Sequence, residues 1–412
     1  MLFRGEEYVA NKRWCGSTPR YAEPNEVLEL FETDLLAIGV VRRGFYTGLA
    51  GLGVPCAAVH RHQGRAPGPS YGKGLTREQA MVSAGMEAIE RAAAEVYDGP
   101  VLKASYRELC TSHPMIRQDQ LLLTKQSFFH PHLELEWGLG WDIVNQEEVP
   151  VPLDMIIFGG YHRPSSLFTF ESTTNGLAAG VVLAEAAVQA VAELVERDGL
   201  KLHKFLSIQR NSYFPLRKVK MAAIDHPLVL GVIDACASHG ANCTLFDCSV
   251  DTQVPIYTAI IYDTSQCPPL IVQGFGASLN PDLAMLRALT EAALAAVENN
   301  QGTRQTSGPD MLFMKQVLTY DSYFEALDSM PEIVSPKTWQ DCATDTFHGD
   351  LDIYIQRMQA VGVERVLLFD MSRPGLKTKV VRAIAPGLEG LHNFNFCRYG
   401  KRSALYAKSQ LP

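Results

Sequence analysis

The chain has 412 residues, 47% of them hydrophobic, enough to bury one large core or two ordinary ones. Its 37 basic and 45 acidic residues give a net charge of −8 with no basic cluster, which argues against a nucleic-acid partner and favours a peptide or small molecule. The nine cysteines are odd in number, scattered and without a Cys-x-x-Cys pair, so neither a disulfide framework nor a zinc site is expected, and a reducing cytoplasm fits.

The first residues, Met1 to Tyr8, carry acidic groups where a signal peptide needs an apolar run. Gly16-Ser-Thr-Pro-Arg20 follows, and Pro24 leads into an amphipathic helix, Asn25 to Ile38, with Val27, Phe31 and Leu35 on its apolar side. Val40 to His60 alternates and contains Gly48, Gly51, Gly53 and Pro55, a pattern of two strands joined by a turn. Gly72-Lys-Gly74 then turns the chain into a helix with Thr76 as its N-cap. In that helix Ser83, Glu87, Glu90 and Arg91 share one polar stripe amid Met81, Val82, Met86, Ile89 and a run of alanines.

From Glu108 to Gly160 the pattern is mixed, with strands expected at Leu133 to Ile143 and Val149 to Phe158. Ser172 to Gly180 is a polar, glycine-bearing loop whose free amides suit phosphate contacts at a helix N-terminus; a plain turn with capping explains it as well. It feeds a helix over Ala184 to Leu200. There Glu185, Gln189, Glu193 and Glu196 fall, at about 100° per residue, in a stripe roughly 80° wide. The rest of that helix is Ala, Val and Leu, so it is buried and its stripe faces an interior space. The same charges also broke the longest apolar stretch, Gly176 to Val195, so no membrane span is expected.

Two buried helices with Glu-x-x-Glu-Arg can bring four carboxylates to a common point. Their repulsion of a few kcal/mol per close pair, at an effective dielectric of about 20, would call for a divalent ion. The alternative is a solvated acidic face with Glu193 and Arg197 as an i,i+4 pair.

Further along, the pattern predicts a strand at Val219 to Ile224, a helix at Leu228 to His239, and strands at Asn242 to Asp247, Val254 to Tyr262 and Ile271 to Gly276. A third alanine-rich helix, Asp282 to Glu298, carries Arg287 and Glu291. The three loop-helix units, Gly74 to Glu95, Gly176 to Asp198 and Gly276 to Asn299, suggest an internal pseudo-repeat converging on one site. After a polar stretch to about Asp310, helix is expected through Leu318 and over Asp350 to Ala360, with strands at Arg365 to Asp370 and Lys377 to Ala385. With no linker-like segment, the chain reads as one intertwined domain, residues 1–65 packing on a core of 66–310 that 311–412 completes.

Several motifs fail on inspection. Gly68 to Gly74 contains Gly72-Lys73, but its glycine spacing is one short and Gly74 stands where a Walker loop has Ser or Thr. Gly48, Gly51 and Gly53 are in the wrong order for a dinucleotide fingerprint. His60-x-His62 and His130-Pro-His132 have no carboxylate or cysteine at ligand spacing. The acidic helices offer oxygen donors only, which selects Mg2+, and the arginine after each Glu pair can reach phosphate oxygens. This describes a triphosphate site built without a Walker loop.

Ser83, Glu87, Glu90 and Arg91 form Ser-x3-Glu-x2-Glu-Arg. Ser172, Asn175, Gly176, Glu185, Gln189, Glu193, Glu196 and Arg197 form a Ser/Asn-Gly loop followed by Glu-x3-Gln-x3-Glu-x2-Glu-Arg. In both strings the chain resembles the YcaO superfamily. Gly16 to Arg20, Gly72 to Thr76, Arg287 to Glu291, Gly302-Thr-Arg304 and Pro386 to Glu389 look like its TfuA-associated, thioamide-forming subgroup. The resemblance implies an α+β, YcaO-like fold with mixed sheets and buried helices converging on an ATP and Mg2+ site. It also implies a cytoplasmic, homodimeric enzyme that phosphorylates a backbone amide oxygen of a ribosomally made precursor peptide or protein, with a TfuA-like partner handling sulfur. By resemblance Glu87, Glu90, Glu193 and Glu196 carry metal, and Ser83, Arg91, Ser172, Asn175, Glu185, Gln189, Arg197, Glu291, Arg304 and Arg20 surround the nucleotide; no catalytic base stands out. Leu294 and Ala296 depart from the Gln and Arg usual in the subgroup. The tail Lys408-Ser-Gln-Leu-Pro412 lacks the alternating prolines of azoline-forming cyclodehydratases, which favours thioamide formation over ring closure, while a non-catalytic binding role is the third reading.

Overall fold

The computed structural model describes all residues except 63, 66–67, 160–168, 171, 211, 213, 215–216, 268, 302–319, 391–398 and 411–412. Among the described residues, three sheets each carry one long helix. A three-stranded antiparallel sheet, Val40–Phe45, Cys56–Arg61 and Ser70–Lys73, supports the helix Arg77–Ala94. A six-stranded sheet runs Glu147–Pro152, Glu134–Asp142, Leu367–Asp370, Lys379–Ile384, Leu177–Gly180, with Val101–Ser105 pairing beside Glu134–Asp142. The helix Leu183–Gln209 lies over its Lys379–Ile384 and Leu177–Gly180 end. A five-stranded sheet is ordered Leu270–Ala277, Ile256–Asp263, Asn242–Asp247, Lys218–Val219, Glu332–Val334, and its last pair is parallel. It carries the helix Pro281–Asn300 on the Leu270–Ala277 edge. The architecture is α+β with mixed sheets.

The helices are rich in alanine because strands press directly on them. A Cβ on Gly72 would lie 2.1 Å from the Ala84 amide nitrogen, and one on Gly274 would lie 2.0 Å from that of Ala292. Only glycine permits backbone to approach backbone so closely. The facing Ala80, Ala84 and Ala88, like Ala284, Ala288 and Ala292, are fully buried. A small-residue seam between strand and helix is thus one physical form of the repeat. Thr76 caps the first long helix, its Oγ1 accepting from the Gln79 amide at 3.2 Å.

Several element boundaries differ from those the pattern predicts. Residues 177–180 of the expected loop are a strand, because Leu177 and Ala178 bury against the neighbouring strand and helix. The strand expected through Phe158 stops at Pro152 and gives way to the helical turn Leu153–Ile156. That expected at Val219 to Ile224 shrinks to Lys218–Val219 before the 3-10 turn Met221–Ala223. The second acidic helix runs on to Gln209, since Leu200, Leu202 and Leu206 continue its buried face. The strands Ser70–Lys73 and Val101–Ser105 and the helices Tyr320–Ser329 and Lys401–Ser409 lie outside the elements that the pattern predicts. The helix expected to end at Leu318 lies outside the described residues.

Candidate active site

The three long helices and the short strand Pro19–Arg20 enclose a cavity of about 460 Å³. Helical spacing brings Ser83, Glu87, Glu90 and Arg91 to it from Arg77–Ala94, and Glu185, Gln189, Glu193, Glu196 and Arg197 from Leu183–Gln209. Pro281–Asn300 adds Arg287, Thr290, Glu291 and Glu298, and Arg20 closes one side. The acidic stripes face a shared interior space, not bulk solvent. Ser172 and Asn175 are not among the described lining residues, and the Ser172 hydroxyl instead donates to the Ile157 carbonyl at 2.8 Å. Arg304 lies outside the described residues.

The four carboxylates expected to carry metal do not form a ready chelate. Among the described residues no three His, Cys, Asp or Glu side chains stand in a metal-holding arrangement. Each acid is held by a protein donor instead. The Tyr71 amide donates to Glu87 at 2.9 Å, the Ala179 amide to Glu90 at 2.7 Å, and the Gly176 amide to Glu193 at 3.0 Å. Arg197 bonds Glu193 at 3.1 Å and lies 3.6 Å from Glu196. Glu185 accepts from the Val181 amide at 2.9 Å and the Tyr21 amide at 3.3 Å. Across the cavity, Lys73 bonds Glu291 at 3.0 Å and Arg287 bonds Gln189 at 3.1 Å.

Burial dominates the electrostatics. It pushes Glu90 up to about 8, with the Ala179 amide pulling against it and Glu87 and Glu193 adding to it. It pushes Glu87 up to about 7, opposed first by Arg91. Glu87 exposes 40% of its side chain, but it lines the cavity, so that surface meets enclosed space and stays poorly solvated. Glu196 is raised by burial against the pull of Arg197. Glu291 goes the other way: burial would raise it, but Lys73, Arg197 and Arg287 together hold it low. Burial lowers Arg20, with Glu185 opposing and Arg287 reinforcing. Burial would lower Arg197 too, yet Glu196, Glu193 and Glu291 raise it overall.

Carboxylates driven toward protonation are groups that a hard cation would return to their ionised form. The donors are oxygens of Glu and Gln, the set that suits Mg2+. The Arg197 Nε is buried without a partner, a donor left over for an anionic oxygen. These residues fit a divalent ion together with a polyphosphate.

Lys73 and Glu298 were not singled out in the sequence as cavity residues, and Arg287, placed on the converging third helix, was given no role at the nucleotide. The signal was present in the third helix, where Arg287, Glu291 and Glu298, four and seven apart, repeat the stripe of the other two. Leu294 also lines the cavity, while Ala296 is fully buried in the core against the five-stranded sheet. The histidine pairs stay apart from this chemistry, His60 beside the Tyr46 hydroxyl at 3.3 Å and His130 stacked on His132.

Fold and cavity together define an α+β protein in which packed helices, rather than a glycine-rich phosphate loop, surround an acidic and arginine-lined chamber. The chain belongs to the YcaO family: the family model, described as YcaO cyclodehydratase, ATP- and Mg2+-binding, matches residues 71–389. ATP and Mg2+ are therefore its cofactors, and its activity falls within ATP-dependent peptide modification. An uncharacterized protein of Methanothermobacter thermautotrophicus is 32% identical over 387 residues, spanning 90% of this chain and 95% of the relative. A protein of Rhizobium leguminosarum bv. trifolii, described as lying in the tfuA 3' region, is 26% identical over 394 residues, spanning 93% and 92%. Among solved structures, YcaO from Methanopyrus kandleri bound with AMPPCP and Mg2+ aligns with a TM-score of 0.71 at 22% identity, over 92% of this chain and 95% of that one. A heterocyclase in complex with substrate and cofactor aligns with a TM-score of 0.78 at 20% identity, over 96% of this chain but 56% of the heterocyclase. At these identities the two structures share the fold with this chain.

Proposed function

We propose that this chain forms thioamides, using ATP to activate a backbone amide of a ribosomally made peptide or protein. The observation that carries the reading is the single chamber in which Glu87, Glu90, Glu193 and Glu196 meet Arg91, Arg197 and Arg20. Hydrosulfide adds to the amide carbon, the resulting oxyanion attacks the γ-phosphorus and ADP leaves. Loss of the phosphorylated oxygen as inorganic phosphate, with the sulfur proton, then leaves C=S in place of C=O. Mg2+ would neutralise charge on the transferring phosphoryl group. The protein's own part is to hold the triphosphate by Arg91 and Arg197 and to orient Gln189 through Arg287. Glu87, Glu90, Glu193 and Glu196 are the residues that would hold the ion.

The relative in the tfuA 3' region supports a TfuA-like protein as partner, and sulfur as the nucleophile follows from the resemblance to the TfuA-associated subgroup. The family description as cyclodehydratase favours a second reading, in which a Cys, Ser or Thr side chain of the substrate attacks and an azoline ring forms. Mass spectrometry of a candidate peptide incubated with the chain, ATP, Mg2+, sulfide and the TfuA-like protein separates the two. Exchange of oxygen for sulfur is expected; loss of one water per site instead identifies the cyclodehydratase. Unchanged peptide, with no ADP formed although AMPPCP binds, leaves only a binding role.

A further inference from the structure

The Gly72-Lys-Gly74 stretch fails as a Walker loop, yet it borders the cavity. Gly72 presses on the helix Arg77–Ala94, and a Cβ there would meet both Ala84 and Ala80 backbone. Strand alternation sends Tyr71 and Lys73 to the opposite face, toward Pro281–Asn300, so the seam fixes where the Lys73 stem begins. From there the ammonium reaches Glu291 at 3.0 Å, with 28% of each side chain exposed. Both residues line the cavity, so this exposure is toward the site.

We infer that Lys73 is a phosphate-contacting cation of this site, resting on Glu291 and transferring to a triphosphate oxygen when nucleotide enters. The assignment rests on the ATP-binding reading above. Arg91 and Arg197 are each paired with a glutamate four residues earlier on their own helix. Lys73 instead bridges from a strand to a different helix. Its ammonium is a compact charge on a flexible stem with three donors, one of which the Glu291 bond uses. Arg197 and Arg287 remain beside Glu291 when Lys73 departs, so that carboxylate keeps cationic neighbours.

Calorimetric titration with AMPPCP plus Mg2+, and separately with AMP, tests the assignment on the whole chain without any turnover. Lys73→Met is expected to weaken AMPPCP binding roughly ten- to a hundredfold and AMP binding less than about threefold, as for one charge-assisted contact to the outer phosphates. Lys73→Arg keeps the charge and recovers affinity to within about tenfold of wild type. The double variant Lys73→Met with Glu291→Gln leaves no unpaired carboxylate, so it answers even where the single variant misfolds, and it is expected to remain weak. Wild-type affinity in the double variant would mean that Lys73 only neutralises Glu291, and would overturn the assignment. Equal losses for AMPPCP and AMP would do the same. Wild-type chain that fails to bind AMPPCP at all overturns the functional reading and this assignment with it, whereas binding untouched by Lys73→Met overturns the assignment alone.

Discussion

The helix Leu183–Gln209 carries two clusters of buried charge separated by a single peptide bond. On one side of it Glu193, Glu196 and Arg197 face the cavity, and on the other Asp198 is sealed by the C-terminal helix Lys401–Ser409. Asp198 accepts from Arg402 Nε at 2.9 Å and from the Glu389 amide at 2.8 Å, and Glu389 in turn accepts from Gly400 and Ser403 amides at that helix's start. Arg402 also holds Asp251 at 2.6 Å. Burial still pushes Asp198 up to about 6 against the pull of Arg402. The difference is one of saturation. Around Asp198 the charges answer one another, whereas the cavity cluster has a buried guanidinium nitrogen to spare in the Arg197 Nε. Charge built for structure is closed, and charge built for a ligand is left incomplete.

The contrast can be broken most forcefully at Arg402. Arg402→Ala strands Asp198 and should cost about 3–5 kcal/mol of unfolding free energy by urea titration, with AMPPCP affinity of the folded fraction unchanged. A loss under about 1 kcal/mol would make the two clusters equivalent. Next, Glu193→Ala is expected to reduce AMPPCP binding in Mg2+ about a hundredfold while shifting stability by no more than about 1 kcal/mol. A collapse in stability would recast the residue as structural.

A pH series sharpens the same point. Folded Glu87 and Glu90 sit at about 7 and about 8, above the ordinary 4.5, so the folded chain holds protons that the unfolded chain has released. Their stabilising contribution is full below pH about 4.5 and is lost as pH rises through 7 and 8. The melting temperature of the ligand-free chain should fall across that window, and Glu90→Gln should flatten the fall. Loading with Mg2+ and AMPPCP should release protons, measurable by calorimetry in two buffers of different ionisation heat. The smallest effect is expected from Leu294→Gln: Leu294 shares an apolar cluster with Tyr71 and Cys56, and AMPPCP affinity should change within about threefold.

Much of this was legible in the sequence because helical periodicity is local. Glu185, Gln189, Glu193 and Glu196 had to share a face, and the alanines around them had to be buried. What periodicity could not convey was the partner of each charge. Lys73 meets Glu291 across 218 positions of chain, and Arg402 meets Asp198 across 204, pairings that only the packed sheets bring about. Short strands such as Ser70–Lys73 were likewise hidden, since their glycines answer to a helix backbone and not to a neighbour in sequence. Nor could the spacing of Glu87, Glu90 and Glu193 convey that backbone amides of Tyr71, Ala179 and Gly176 donate to their oxygens.

The glycine seams carry a mechanical consequence. Where strand and helix backbones touch with no side chain between them, nothing can compress, so the walls of the chamber behave as a stiff frame. Any adjustment of the chamber is then left to the side chains that line it, the glutamates, arginines and Lys73. Gly274→Ala, which would drive a Cβ into the backbone of Ala288, Glu291 and Ala292, would wedge one wall outward and carry the Glu291 carboxylate with it.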